Sequence, residues 1–264
     1  MDRDAAIGIF DSGVGGLTVL HAILEALPDE DLIYLGDTGR TPYGNKSAEI
    51  ITRYALESAD FLIERRLKLL VVACNAATAT ALEALRAHVA VPVIGVVEPG
   101  VRAALHATRS GRIGVIGTEA TIGSGAYTRA LRAESPAVEV FTRACPLFVP
   151  LAEEGWTEGS VARAVAETYL ASLARSGIDT LILGCTHYPL LKPLIAEVMG
   201  PSVTLVDSAV EAAREVARLL AAEGLRPRGP GATSFFVTDA PDRFVRIGQR
   251  FLGARVESAV RIER

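Results

Sequence analysis

Hydrophobic and polar residues follow each other in blocks whose order predicts an α/β fold. Short apolar runs at 7–10, 32–35 and 69–74 have the length and composition of strands buried on both faces of a parallel sheet. Between the second and third runs, apolar positions in 51–62 recur every three or four residues, as on one buried face of a helix. Strands that alternate with helices in this way predict parallel sheets covered by helices.

The second half of the chain repeats the pattern of the first half. The run at 7–10 matches the run at 113–116 at an offset of 106 residues, and the strands that end at Cys74 and Cys185 are offset by 111 residues. A nearly constant offset indicates two similar structural units. We therefore predict two parallel-sheet α/β domains related by pseudo-twofold symmetry, with the active site in the cleft between them.

The predicted domain boundaries follow from the segment after the second unit. A strand at 234–237 and a helix at 242–252 come after the second repeat, and we expect them to pack back on the first unit. The first domain is then discontinuous. It comprises residues 1–97 plus 208–264, and the second domain comprises residues 98–207.

Two further predictions concern where individual elements begin and end. The range 91–97 has the composition of one strand, interrupted only by Pro92 and Gly95. Ser208 and Glu211 have the spacing of a capping box. This spacing predicts that the Ser208 side chain caps the helix that follows.

The composition excludes several classes of protein. The chain has 264 residues, is 50% hydrophobic and 22% charged, and carries a formal net charge of −4, which is typical of a soluble globular protein. It lacks the clustered Lys and Arg of a nucleic-acid-binding surface and any apolar run long enough to span a membrane. Because the amino end leads directly into the first predicted strand, we expect no signal peptide, and three cysteines do not make a disulfide framework. We expect a cytoplasmic protein that acts on a small molecule.

Cys74 and Cys185 each follow a buried strand, where open α/β sheets bind their ligands. Zinc binding would need further ligands at metal spacing, and the chain has no C-x-x-C pair. A hydrolase would use one cysteine with His187 as its base and leave the other cysteine idle. Two other interpretations stay open: the thiols are acid/base groups on opposite sides of one carbon atom, or they are buried small apolar residues.

A pair of acid/base thiols can invert a stereocentre without a cofactor. One thiolate removes a proton from carbon, and the opposite thiol delivers a proton to the other face. The helix that begins after each cysteine places partial positive charge where the thiolate forms. Asp11, Glu153 and His187 are the candidate groups that hold or relay protons.

A glycine-rich turn at 11–16 lies between the first strand and a helix. Such a turn presents N–H groups to an anion, either a carboxylate or a phosphate, and it is equally consistent with a tight turn that binds nothing. Its spacing is that of neither a dinucleotide-binding motif nor a P-loop. The polar loop at 36–44 is long for its position, and such loops often carry binding residues.

Several motifs resemble those of glutamate racemases, in the same order along the chain up to about residue 215. They are Phe10–Gly16, Asp37–Gly44, Ala73–Asn75, Ile116–Thr118 with Thr121, Val149–Pro150 with Glu153 and Gly155, and Gly184–Pro189. The resemblance implies two α/β domains with the substrate between them, and interconversion of L- and D-glutamate without pyridoxal phosphate, another cofactor or a metal. It also implies a cytoplasmic homodimer that supplies D-glutamate for peptidoglycan synthesis.

The resemblance assigns roles residue by residue. Cys74 is the base that acts on D-glutamate, and Cys185 is the base that acts on L-glutamate. The assisting residues are Asp11 on the Cys74 side, His187 on the Cys185 side, and Glu153 and Asp37 in supporting roles. The positions that match substrate-binding residues are Asp11, Ser12, Asp37, Pro42, Tyr43, Gly44, Cys74, Asn75, Ala76, Thr118, Thr121, Cys185, Thr186 and His187.

The chain departs from this family at Ala76, where a threonine usually follows Cys-Asn. The missing hydroxyl costs on the order of 1 kcal/mol of carboxylate binding if nothing replaces its hydrogen bond. Thr78 and the backbone N–H of Ala76 are the candidate replacements. Alternative functions are an aspartate or broader amino-acid racemase of the same superfamily, and a non-catalytic two-lobed amino-acid-binding protein.

Overall fold

The computed structural model describes residues 2–227 and 229–263, and in this part of the chain the strands form two parallel sheets. The larger sheet contains β1 (Ala6–Asp11), β2 (Leu32–Gly36), β3 (Leu67–Val72), β4 (Val93–Gly95), β9 (Thr233–Val237) and β10 (Val260–Arg261). The smaller sheet contains β5 (Arg112–Gly117), β6 (Glu139–Ala144), β7 (Thr180–Gly184) and β8 (Thr204–Asp207). The predicted α/β class is therefore confirmed.

The two sheets share one strand order, as the repeated pattern predicts. The larger sheet runs β10-β9-β2-β1-β3-β4, and the smaller sheet runs β6-β5-β7-β8. Strands β1 and β5 hold equivalent central places, and β3 and β7, which lead to the two cysteines, are equivalent neighbours. The C-terminal strand β9 pairs with β2 and so extends the larger sheet. The predicted boundary residues 97 and 207 stay predictions.

Helices cover both faces of each sheet. They are α1 (Leu17–Ala26), α2 (Ala48–Ile63), α3 (Asn75–His88), α4 (Val97–Ala107), α5 (Glu119–Gly123), α6 (Ala126–Glu134), α7 (Phe148–Glu154), α8 (Gly159–Ala174), α9 (Lys192–Met199), α10 (Ser208–Ala222) and α11 (Pro241–Leu252). Alternate residues of β3 point to opposite faces of the sheet. Leu69 packs with α1 and α10 on one face, and Leu70 packs with α2 and α3 on the other. This is why strand 69–72 is apolar without interruption.

Two of the predicted element ends are wrong. In the range 91–97 only Val93–Gly95 is a strand, and α4 already begins at Val97. Pro92 has no N–H for a ladder, which leaves only its carbonyl to accept from Leu70 N. At α10 the cap is Asp207, whose Oδ1 accepts from Ala209 N at 2.9 Å, while the Ser208 hydroxyl donates to the Leu183 carbonyl.

A buried ion pair lies at the amino edge of the larger sheet, away from the cysteines. Lys68 in β3 is fully buried, and its Nζ lies 2.5 Å from Glu30 Oε2. The same ammonium donates to the carbonyls of Arg3 at 2.7 Å and Leu225 at 3.0 Å. Through this ion pair and two hydrogen bonds, one side chain ties together three distant segments.

Within the described ranges, no helix is both long enough and apolar enough to span a membrane.

Candidate active site

The two cysteines lie at equivalent strand ends and line one cavity. Cys74 follows β3 and is the N-cap residue of α3, and Cys185 follows β7. Their exposed fractions are 5% and 7%. Cys145, the third cysteine, is also buried, and it is not among the residues that line this cavity. The paired strand positions thus bring two thiols from the two sheets to a common space.

Most of the predicted site residues line this cavity. They are Ser12, Pro42, Tyr43, Gly44, Cys74, Asn75, Ala76, Thr118, Thr121, Cys185, Thr186 and His187, together with Val149, which was not predicted as a site residue. The space open to the centres of water-sized molecules is about 20 Å³. This is about the space of one water molecule, so the cavity must widen before an amino acid can enter.

Close approach of the two halves explains the glycines of the site. A Cβ on Gly15 would lie 2.4 Å from Thr186 Oγ1 and 2.5 Å from His187 Nδ1. A Cβ on Gly44 would lie 2.5 Å from Thr118 Cβ. Only glycine leaves room for these contacts. The glycine-rich turn therefore serves to seat the loop that carries His187.

Cys74 lies in an environment that favours the neutral thiol. Burial raises the pKa of Cys74 to about 12, and the negative charge of Asp11 acts in the same direction. The N–H of Ala77 in the first turn of α3 and the hydroxyl of Ser12 lower the pKa, but they are outweighed. The expected effect of the helix start is present, and it does not decide the protonation state.

Cys185 lies beside a chain of acid/base groups. Its Sγ is 3.9 Å from His187 Nδ1, and His187 Nε2 is 3.2 Å from Glu153 Oε1. Burial opposes protonation of the imidazole, but the contacts with Cys185 and Glu153 prevail and raise the pKa of His187 to about 10. The histidine is therefore an imidazolium at neutral pH, held directly beside the sulfur of Cys185.

Three predicted residues lie behind the cavity wall and do not line it. Asp11 is buried, and its carboxylate accepts from Gly13 N at 2.9 Å and Thr186 Oγ1 at 3.4 Å. Burial raises the pKa of Asp11, although the charge of His187 opposes this. Glu153 contacts the far side of His187. Both carboxylates can act on the thiols through charge and proton relay rather than through direct contact with a ligand.

Asp37 also acts through another residue. One oxygen accepts from the Tyr43 hydroxyl and from Arg40 Nε at 2.7 Å, and the other accepts from Thr238 Oγ1 at 2.8 Å. Tyr43 lines the cavity, whereas Asp37 does not. Asp37 therefore holds the Tyr43 side chain, and its predicted contact with substrate stays a prediction.

Comparison with known proteins decides the family. The model of the Asp/Glu/Hydantoin racemase family matches residues 9–216. A glutamate racemase from Geobacter metallireducens is 61% identical over 253 residues, which cover 95% of this chain and 94% of the relative. The chain belongs to the Asp/Glu/Hydantoin racemase family. This confirms the resemblance that the motifs indicate.

Solved structures of racemases agree with this placement. A glutamate racemase from Bacillus anthracis has a TM-score of 0.95 and 41% identity, and the match covers 98% of this chain and 97% of that chain. A glutamate racemase from Francisella tularensis in complex with D-glutamate has a TM-score of 0.93 and 37% identity, covering 99% and 98%. The two-sheet racemase fold therefore extends over nearly the whole chain.

The racemase site also contains a hydrogen bond that sequence reasoning did not find. The hydroxyl of Tyr127 in α6 donates to Asn75 Oδ1 at 2.6 Å, and both residues are buried. Among the described residues, Asn75 Nδ2 has no hydrogen-bond partner. Since Tyr127 occupies the oxygen, the amide presents Nδ2 as a donor at the cavity wall.

The departure at Ala76 is not repaired by Thr78. The Thr78 hydroxyl donates to the Val72 carbonyl at 3.0 Å and accepts from Val96 N, so it holds β3, α3 and β4 together. That candidate replacement is therefore wrong. Ala76 itself lines the cavity in the first turn of α3.

The C-terminal helix supplies further neighbours of the site. Phe251 in α11 packs on the His187 ring with centroids 5.7 Å apart and an interplanar angle of 88°. Arg243 and Arg250 of the same helix contact Glu153. No sequence motif marks these residues, because their contacts are distant in the chain. The contact with Glu153 spans 90 positions for Arg243 and 97 for Arg250.

Proposed function

We propose that this racemase interconverts L- and D-glutamate by proton transfer between two thiols, without a cofactor. The observation that carries the proposal is the placement of Cys74 and Cys185 at equivalent strand ends around one cavity. Relatives of 61% and 49% identity are named glutamate racemases, which favours glutamate over aspartate as the substrate.

The site chemistry divides the work between two sides. Cys185, beside the His187 imidazolium, removes the Cα proton of L-glutamate, and the neutral thiol of Cys74 delivers a proton to the opposite face. In the reverse direction Cys74 must first lose its proton. Asp11, whose pKa is raised by burial, is placed to hold that proton.

Neutral donors bind the carboxylates of the substrate. The cavity-lining residues that the structure describes include no Lys or Arg, and Ser12, Asn75, Thr118, Thr121 and Thr186 supply hydroxyl and amide groups. The start of α3 at Asn75 adds backbone N–H groups and the positive end of the helix dipole. Donors of this kind can bind the carboxylates of glutamate without a lysine or arginine side chain in the lining of the cavity.

An exchange experiment in D2O tests the function. The purified protein is incubated with L-glutamate, D-glutamate or either enantiomer of aspartate, without added cofactor, while optical rotation and Cα deuterium are followed. We expect deuterium at Cα and loss of rotation from both glutamate enantiomers, and much slower change with aspartate. A hydrolase or a binding protein would leave the Cα hydrogen in place, and this result would overturn the proposal.

The cellular role follows from the product. We propose that the enzyme is cytoplasmic and supplies D-glutamate for peptidoglycan, and thus for cell wall biogenesis and cell shape.

We also propose that it forms a homodimer. Leu147, Trp156 and Val161 are each more than half exposed, and exposed apolar side chains favour association. Sedimentation velocity checks the dimer, and D-glutamate auxotrophy on gene deletion checks the role.

Tyr127→Phe should weaken substrate binding more than it slows the chemical step. Loss of the 2.6 Å hydrogen bond frees the Asn75 amide to turn its oxygen toward the substrate carboxylate. A lost hydrogen bond of about 1 kcal/mol corresponds to a rise in KM of roughly fivefold, with kcat changed less.

Tyr169→Phe is the matched control for this change. It also removes one tyrosine hydroxyl, which accepts from Leu147 N and does not line the cavity. Steady-state kinetics with both enantiomers measures the effect. An unchanged KM in Tyr127→Phe, or an equal rise in Tyr169→Phe, would contradict the role of Tyr127.

A further inference from the structure

The last helix of the chain, α11, contacts the acid/base groups of Cys185 at three points. Arg243 Nη2 donates to Glu153 Oε2 at 3.1 Å, and Arg250 Nη1 donates to the Glu153 carbonyl oxygen. Phe251 packs its ring against His187. His187 lies beside Cys185 in the proposed proton transfer, and Glu153 contacts the far side of the imidazole. No step of that transfer involves α11.

Glu153 is shared between two cations. Oε1 lies 3.2 Å from His187 Nε2, and Oε2 lies 3.1 Å from Arg243 Nη2. Occupation of both oxygens restricts rotation of the carboxylate, which in turn holds the imidazole ring toward Cys185. The exposed fractions of the side chains are 14% for Glu153 and 50% for Arg243, so the arginine reaches in from the solvent side.

The backbone that carries Glu153 is held by the same helix. Glu153 lies in the last turn of α7, and Gly155 caps this helix with a positive φ of 76°. A Cβ on Gly155 would lie 3.2 Å from Arg250 Cζ, so the guanidinium packs directly on this turn. The end of α7 is therefore fixed between the smaller sheet and α11.

We propose that Arg243 is a positioning residue for the Cys185 half of the proton transfer, acting through Glu153 on His187. This inference rests on the proposed function. It gives the C-terminal segment a task in the reaction, because α11 packs on α1 of the larger sheet while Glu153 and His187 follow elements of the smaller sheet. The ion pair thus joins the two halves on the side of Cys185.

Substitution of Arg243 by glutamine should slow racemisation while the fold is kept. We expect kcat to fall roughly tenfold, since small losses of alignment in a reacting group have effects of this order or larger. Because the two enantiomers have equal free energies, kcat/KM must fall by the same factor in both directions. Arg243→Lys retains the positive charge and should recover part of the loss.

Two readouts separate positioning from a merely structural role. Slower transfer at Cys185 should increase the primary isotope effect with L-glutamate deuterated at Cα and decrease the effect with the D enantiomer. The pH profile should also move. Burial raises the pKa of Glu153, but its hydrogen bond with His187 and the charge of Arg243 prevail and hold this pKa below the usual range.

The direction of the pH change follows from these charges. The groups that face Glu153 are His187, Arg243 and Arg250, and the charge of Asp11 acts on the same histidine. Without Arg243 the pKa of Glu153 should rise, so that the carboxylate is protonated at a higher pH. The protonated carboxyl then no longer forms an ion pair with His187. In the plot of kcat against pH, the acidic limb should therefore move to higher pH in Arg243→Gln. In Arg243→Lys it should return toward its wild-type position.

Arg246→Gln is the matched control. Arg246 is exposed on the same helix and makes no ion pair among the residues that the structure describes. Wild-type kcat, isotope effects and pH profile in Arg243→Gln would overturn the inference, as would an equal loss in Arg246→Gln. Failure of the wild-type protein to racemise glutamate would instead overturn the proposed function.

Discussion

Replacement of either Cys74 or Cys185 by alanine should lower glutamate racemisation by roughly 10³-fold or more, because each thiol is the acid or base for one face of the substrate. Partial reactions make this expectation sharper. Cys74→Ala retains Cys185 and should still exchange the Cα hydrogen of L-glutamate with D2O. Cys185→Ala retains Cys74 and should exchange the Cα hydrogen of D-glutamate only. Proton NMR of each enantiomer in D2O measures both reactions.

Cys145→Ala is the control for these variants. Cys145 is buried like the other two cysteines, its pKa is likewise raised by burial to about 12, and it does not line the cavity. Its replacement should leave racemisation close to wild type. Full activity in Cys74→Ala or Cys185→Ala would refute the two-base assignment, and exchange of the opposite enantiomer would reverse the assignment of the two faces.

Lys68→Met should strongly destabilise the fold, because Lys68 is buried and paired with Glu30 at the amino ends of the strands of the larger sheet. It leaves Glu30 buried without its cation, and breaking a buried ion pair in this way costs roughly 3–5 kcal/mol. The double variant Lys68→Met with Glu30→Gln removes both charges and should recover most of this loss. Urea unfolding followed by circular dichroism measures the midpoints.

The loss in Lys68→Met should depend on pH. Burial raises the pKa of Glu30 and Lys68 opposes this, so removal of Lys68 raises the pKa of the carboxyl further. A carboxyl whose pKa is raised in the folded state loses its stabilising contribution as pH rises through that value. The variant should thus be closest to wild type near about pH 4 and furthest from it near neutral pH. Equal losses at both values would contradict the assignment to Glu30.

Local sequence patterns were sufficient for most of the strands and for the positions of both thiols, but they did not predict β10. Cys74 and Cys185 end apolar runs that are buried on both faces, and a parallel sheet presents such ends at one edge. The repeat offset predicted that β3 and β7 are equivalent, and the strand order confirms it. These features depend on short-range periodicity, which one chain displays without knowledge of its neighbours.

Element ends were less predictable because several side chains compete for them. Ser208 and Asp207 are both capable N-caps for α10. Because the Ser208 hydroxyl donates a hydrogen bond to the Leu183 carbonyl, Asp207 is the residue that caps the helix. In the same way, Asp37 is a polar residue in a binding loop. Its oxygens are used by Tyr43, Arg40 and Thr238, the last of which is 201 positions away.

The sequence by itself determined that this chain is a parallel α/β protein with two matched halves, each ending a buried strand in a cysteine. The tertiary structure alone decided how those thiols are tuned, because charge and burial act through space. Burial and the charge of Asp11 keep Cys74 neutral, and the contacts with Cys185 and Glu153 keep His187 protonated on the other side of the cavity. It also decided that Lys68 is buried and that Arg243 supports Glu153, since long-range contacts leave no periodic trace in the chain.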